Sequence, residues 1–366
     1  MFVLASGAVC ADTARVFDTE LHKVRVTTVA TGLEHPWSVA FLPDGKFLVT
    51  ERPGRLRIID AKGNVSAPLQ GVPKVAAAGQ GGLLDVVLAP DFAQSRRIYF
   101  SYAEPRDGGN GASVARAKLG STGLSDVEVI FRQLPAVESQ GHLGSRLVFA
   151  RDGSLFVTLG ERQLKHFAVR AQDLETHFGK IVHLQPDGGA APDNPFLLVP
   201  GAQPEIWSYG HRNVQGAALH PDTGELWTTE HGPKGGDELN RVKPGANYGW
   251  PLVTYGIAYN GDKVGVGQER VGIEPPVYYW VPSIATSGLT FYTGDRFPKW
   301  HGQLFAGGLY GMVVRLQLEG EKVVKEERIL TQLKQRIRDV RTGPDGLLYV
   351  LTDSPKGELI SVAPAE

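Results

Sequence analysis

"FLPDGKFLVTER", from Phe41 to Arg52, places Asp44-Gly45 turn chemistry ahead of a hydrophobic run, Phe47-Leu48-Val49, that ends on charge. The same unit returns in "LAPDFAQSRRIYFSYA" from Leu88, "FARDGSLFVTLGER" from Phe149, "LHPDTGELWTTEHG" from Leu219, "FYTGDRFPKWHGQLFAGG" from Phe291 and "TGPDGLLYVLTD" from Thr342. Each version is a turn with Asp beside Gly, Thr, Phe or Arg, then a hydrophobic strand, then a polar or glycine-rich exit. A tight turn before a buried strand fits the inner part of a propeller blade. Intervals of roughly 45 to 75 residues exceed a simple blade by the length of inserted loops. Six versions predict an all-β fold, a six-bladed β-propeller.

Composition agrees with one large domain, since 366 residues with 42% hydrophobic content and 45 glycines are ample for a core. Helical pattern is scarce, with a turn or two expected between Val169 and Gly179. The glycine runs Gly79 to Gly82 and Gly307 to Gly311 lack the Rossmann spacing, which argues against a two-domain α/β enzyme. Gly81 and Gly82 read as tight blade packing, whereas Gln80 is a polar side chain held between glycines. A formal charge of −1 without a basic stripe points away from nucleic acid and membrane surfaces. After the N-terminus no apolar run approaches the roughly 18 residues that span a bilayer. The lone cysteine, Cys10, excludes an intramolecular disulfide framework. The opening "MFVLASGAVCADTA" resembles the end of an export signal without its basic n-region, and a plain N-terminal tail is the alternative. Residues 1–20 are read as that segment and 21–366 as the propeller, which predicts a periplasmic or secreted protein.

Loops at one end of a propeller surround its axis, so functional residues should gather on the exits of the blade strands and the connections beside them. Gln80, His142, Glu161, Arg162, Arg212, Asn213, the Glu230 to Glu238 loop, Tyr310, Arg336 and Arg338 lie there. The densest stretch runs from Pro204 to Pro251 and contains "GHRN" and "EHGPKGGDE". Arg212 offers a planar fork for carboxylate or quinone oxygens, and Asn213 adds a donor and an acceptor. Turn chemistry at Gly232, Pro233, Gly235 and Gly236, followed by Asp237 and Glu238, lets carbonyls and carboxylates converge on a hard cation such as calcium, though the spacing is not an EF-hand loop. A polar turn with solvated charges stays open as the other reading. His142, with glycine on its N-terminal side and again two residues on, has the chemistry of a general base, and a purely structural histidine is the alternative.

Seven stretches in order, "LEHPWSVAFLPDG", "GQGGLLDVVLAPDF", "YGHRN", "EHGPKGGDELN", "NYGWP", "YYWVPSIATSGL" and "QRIRDVRTGPDG", give the chain a close resemblance to the soluble quinoprotein aldose sugar dehydrogenases. The likeness runs from about Thr28 to Val362. Members of that family are six-bladed propellers that use pyrroloquinoline quinone (PQQ) and calcium to oxidise the anomeric carbon of aldoses. The resemblance implies His142 as proton acceptor, with Glu161 orienting it and Arg212 serving the reacting quinone. It implies cofactor contacts at Gln80, Arg212, Asn213, Tyr259, Gly308, Leu309, Tyr310, Arg336, Ile337 and Arg338. The Gly232 and Pro233 carbonyls would hold the calcium on PQQ, and Glu238 with the Tyr248 backbone a structural one. Implied partners are an aldose and an external electron acceptor, for a monomer or homodimer.

Two positions depart from the family pattern. Where a lysine is common, "GGLYG" carries Tyr310, which predicts a cofactor site roughly ten- to hundredfold weaker through loss of one charge-assisted contact. Ser145 stands where the histidine motif has glycine, a change expected to tighten the backbone and be tolerated. A calcium-dependent lactonase-type hydrolase and a non-catalytic propeller binding module remain the competing readings.

Overall fold

In the computed structural model, which describes residues 14–365, each of the six repeated stretches begins on the last residue of an innermost strand. Phe41, Leu88, Phe149, Leu219, Phe291 and Thr342 end the strands Pro36–Phe41, Leu83–Leu88, Leu147–Phe149, Val214–Leu219, Thr286–Phe291 and Ile337–Thr342. The turn that follows returns the chain along a second strand, antiparallel to the first in every blade. The innermost strands touch in sequence, and the last touches the first, closing a ring of six sheets. The fold is a six-bladed β-propeller.

Blade 1 has three strands and blades 2 to 5 have four each. Blade 6 joins the two ends of the chain, because Lys23–Leu33 pairs with Gly357–Pro364 and the strand Arg15–Asp18 pairs outside it. The sheet therefore begins at Arg15, ahead of residue 21, and the export-signal reading of the first residues falls outside the described part. The stretch Val169 to Gly179, expected to hold a helical turn or two, contains a 3-10 turn at Val169–Gln172, and an α-turn at Lys165–Ala168 precedes it outside that stretch.

The hydrophobic core is divided into six clusters, one between each pair of adjacent blades. Between blades 5 and 6, for example, Trp300 and Phe305 meet Val26, Ile337 and Ile360. Both faces of each inner sheet are thus buried, and for that reason strands such as Phe47–Glu51 and Leu226–Glu230 lack an exposed face. Gly82 serves close blade contact, since a Cβ there would lie 2.0 Å from the Arg52 carbonyl.

Around the axis the inner strands carry charge. Arg146 sits 3.2 Å from Asp85 and 3.3 Å from Asp339, and Arg341 bridges the same carboxylates at 3.1 and 3.0 Å. Ser38 Oγ and the Leu147 amide also donate to Asp85, and the Arg146 guanidinium lies 4.1 Å over Trp37. Four blades are tied by this plug, which forms the floor below the site.

Candidate active site

Because the first strand of each blade leaves the same end to which the second returns, first-strand entries and second-strand exits share one face near the axis. A cavity of about 410 Å³ opens there. It is lined on these positions by His35, Arg52, Gln80, Arg336, Arg338 and Asp353, with Trp37 and Leu143 as apolar walls. A smaller cleft of about 210 Å³ shares His231 and is walled by Gly232, Pro233, Tyr259 and Tyr310.

His142 enters blade 3 beside this cavity and is 4% exposed. Its Nδ1 is 3.0 Å from Glu161 Oε1, on the exit of the second strand of the same blade. Glu161 is held in turn, its amide donating to the Arg212 carbonyl and its Oε2 accepting from the Gln163 amide. The ionised carboxylate accepts from Nδ1–H, which leaves Nε2 with a lone pair. Burial pushes the His142 pKa below its ordinary value; the bond to Glu161 opposes that shift and Arg212 adds to it. The imidazole is therefore neutral, and a base, at neutral pH. Gln80 Oε1 accepts the His142 amide at 2.9 Å and fixes the loop.

That loop is strained in places. His142 and Ser145 have φ of 45° and 84°, and Arg162 and Gln163 across from them have 73° and 69°. Ser145 thus occupies a conformation that favours glycine, which gives the departure from the family motif a definite cost.

Asn213 is buried; its Oδ1 accepts from the Gly144 amide and Gln215 Nε2 at 3.2 and 3.1 Å, while Nδ2 has no partner. Arg212 behaves differently from the expected open fork. Its Nη1 donates to the Gly232 and His231 carbonyls at 2.7 and 3.2 Å, its guanidinium lies 5.1 Å from the Trp250 ring centre, and Nε is unpaired.

Of the remaining expected residues, Leu309, Arg336 and Arg338 line the larger cavity, and Tyr259 and Tyr310 stand 75% and 66% exposed on the smaller cleft. Gly308 is buried at the end of its strand. The Ile337 side chain lies in the core between blades 5 and 6, so only its backbone can serve a ligand.

Glu238 faces Glu230 across the sheet, and Asn240 Nδ2 bridges them at 3.1 and 3.2 Å. Burial and the Glu230 charge raise the Glu238 pKa well above the usual carboxylate range. Together with Tyr248 they border a void of about 10 Å³, room for a single ion or water. The Tyr248 hydroxyl donates to the Arg241 carbonyl and accepts the Lys243 amide, which leaves its backbone as the ligand-capable part. Among the described residues no three His, Cys, Asp or Glu side chains converge as a metal site. What the loop offers is backbone carbonyls and few carboxylates, a donor set that would suit a hard cation such as calcium.

The sequence reading missed His35, Arg52, Gln215 and Asp353, and took in His231 only as part of the Glu230 to Glu238 loop. A signal was present: Arg52 ends the first repeated stretch and Asp353 the Leu-Thr-Asp of the last, positions equivalent to the exit that singled out Glu161.

Comparison with known proteins supplies the family. A chain 50% identical over 348 residues, covering 93% of both proteins, is the Escherichia coli aldose sugar dehydrogenase YliI. The crystal structure of the soluble E. coli aldose sugar dehydrogenase in its apo form superposes with a TM-score of 0.90 at 50% identity, covering 93% of this chain and 100% of that one. The PQQ-bound aldose sugar dehydrogenase of Streptomyces coelicolor superposes with a TM-score of 0.76 at 30% identity, covering 96% and 100%. With the glucose/sorbosone dehydrogenase model matching residues 33–361, nearly the whole ring, this chain belongs to the glucose/sorbosone dehydrogenase family.

Proposed function

We propose that this protein oxidises aldose sugars at the anomeric carbon to lactones, with PQQ and calcium, and passes the electrons to an external acceptor. The carrying observation is the buried His142–Glu161 pair at 3.0 Å beside a cavity rich in cations. PQQ bears three carboxylates, and the cavity answers with the guanidinium groups of Arg52, Arg336 and Arg338 and the donor-capable His35 ring against Asp353 alone. Buried donors without partners, Asn213 Nδ2, Arg338 Nε and Arg52 Nε, fit an oxygen-rich ligand.

When bound, the quinone supplies the hydride acceptor. His142 Nε2 takes the proton of the anomeric hydroxyl as hydride leaves the same carbon. Glu161 keeps the base in the required tautomer and stabilises the imidazolium that forms. Arg336, Arg338 and Asn213 would hold the cofactor, and Tyr259 and Tyr310 on the smaller cleft would offer it further contacts. The Gly232 and Pro233 carbonyls would hold one calcium and Glu238 with the Tyr248 carbonyl a second, and the Arg212 guanidinium beside the first would supply positive charge where negative charge grows. The export-like N-terminus supports a periplasmic or secreted location.

The hydrolase reading requires axial carboxylates free to bind metal, and Asp85 and Asp339 are instead tied to Arg146 and Arg341. The test is the absorption spectrum of the protein with PQQ and calcium, followed by sugar. Loss of the oxidised-quinone band and reduction of an added dye are expected; an unchanged spectrum with unreduced dye refutes the proposal.

A further inference from the structure

Where blade 6 closes onto blade 1, Asp353 is the centre of a group of cations. Arg338 Nη2 lies 2.5 Å from its Oδ2 and His35 Nδ1 2.9 Å from its Oδ1. Arg336 approaches at 3.5 Å and Arg52 at 3.9 Å. Burial works to raise the Asp353 pKa, but Arg338 and His35 hold it below the usual carboxylate range, so the group stays ionised.

The backbone shows that the arrangement is built. The His35 amide donates to the Ser354 carbonyl at 2.8 Å, the Arg52 amide to the His35 carbonyl at 3.1 Å, and the Asp353 amide to the Arg336 carbonyl at 2.8 Å. These bonds hold His35 at φ 46°, in the left-handed region that few residues other than glycine adopt. Arg52 is further fixed by Nη1 donating to the Gly79 carbonyl at 2.8 Å, next to Gln80.

One carboxylate cannot satisfy this set. Three guanidinium groups leave surplus positive charge, and Arg338, 7% exposed, keeps Nε without a partner, as does Arg52. The Nε2 edge of His35 has no hydrogen-bond partner among the described residues. All five side chains line the 410 Å³ cavity. Unpaired buried donors and surplus charge on one wall are the signature of an anion site.

We propose that Arg52 and His35 complete, with Arg336 and Arg338, a pocket for a carboxylate group of the cofactor, and that Asp353 positions the three guanidinium groups and the imidazole around it. This inference rests on the quinone reading above. Arg52 and His35 are binding residues here, touching the ligand. Asp353 acts through them, and its negative charge keeps the guanidinium groups from repelling one another before the ligand arrives.

The test is titration of cofactor-free protein with PQQ at fixed calcium, followed by quenching of tryptophan fluorescence, since Trp37 lines the same cavity. R52Q and H35Q are each expected to weaken binding about tenfold or more, with R52K recovering only part of the loss because the charge is kept but the guanidinium fork is not. Melting temperatures separate lost binding from lost folding. H35Q, at a partly exposed position, decides the matter should R52Q not fold. Unchanged affinity in folded H35Q and R52Q, beside a wild type that binds PQQ, overturns the pocket while leaving the quinone reading intact. A wild type that shows no quench overturns both.

Discussion

Replacing Glu161 by Gln tests the site at its most specific point. The carboxylate and the imidazole are both nearly fully buried and 3.0 Å apart. Before proton transfer the imidazole is neutral, so the full charge–charge attraction appears only as the imidazolium forms. At an effective dielectric near 20, unit charges about 4 Å apart attract by about 4 kcal/mol. The amide oxygen of Gln still accepts from Nδ1–H and retains about 1 kcal/mol of that. The remaining deficit, about 2 to 3 kcal/mol, predicts a fall in kcat of roughly thirty- to two-hundredfold. The sugar KM should hardly move, because the lost interaction belongs to the transition state. Should the amide turn its NH2 toward the ring, the tautomer reverses and the loss is larger.

The pH profile supplies a second readout of the same variant. Burial depresses the His142 pKa and Glu161 opposes that depression. The acid limb of kcat/KM in the wild type should therefore lie below the ordinary histidine value of about 6.5, and in E161Q lower still. The same depressed pKa makes the folded state lose stability as pH falls from about 6.5 toward the folded value, because the unfolded chain takes up the proton first. Dye-linked turnover and NMR titration of the His142 ring are the assays. A variant within threefold of wild-type kcat, or an acid limb that moves up, refutes the role given to Glu161.

Asp339→Ala should destabilise the fold by about 3 to 5 kcal/mol, since it leaves Arg146 and Arg341 buried with half their counter-charge; a urea denaturation shift under 1 kcal/mol would count against the axial plug. Ser145→Gly should gain up to about 1 kcal/mol, read as a small rise in Tm, because relief at φ 84° is partly offset by the lost bond from Oγ to the Leu143 carbonyl and by the entropy of glycine. Tyr310→Lys should tighten PQQ binding about three- to tenfold, less than the sequence suggests, because a charge at a position 66% exposed is screened; equal or weaker affinity would show that the tyrosine ring itself serves the ligand.

What the sequence made legible follows from locality. The turn and second strand of a blade lie within about fifteen residues, so Asp-Gly turns and apolar runs exposed the ring of six before any long-range contact was known. The first-strand entry and second-strand exit of one blade are nearly as local, and His142 and Glu161, nineteen residues apart, were legible together on that account. Side-chain direction was not. Arg212 looked like a fork offered to a ligand, yet its orientation depends on Trp250 and on the Gly232 carbonyl at the far end of a tight loop, where neither propensity nor periodicity reaches.

The cluster around Asp353 was hidden for the complementary reason. His35 and Asp353 are 318 positions apart and meet only because Lys23–Leu33 completes the last blade. A lone histidine before a proline carries no signal, and the exit position of Asp353 marks it as a candidate without naming its partners. Their chemistry appears once ring closure places the entry of blade 1 against the exit of blade 6. The same closure explains why cations concentrate at that seam: Arg52 leaves blade 1, Arg336 and Arg338 enter blade 6, and each keeps its charge near the axis because the sheet face below is already filled by packed apolar side chains. On the proposed reading of this pocket, stability of the ring and affinity for an anion are coupled at one place. Loosening the N-terminal strand in blade 6 should spread the cations and weaken the pocket, even though none of its side chains lies on that strand.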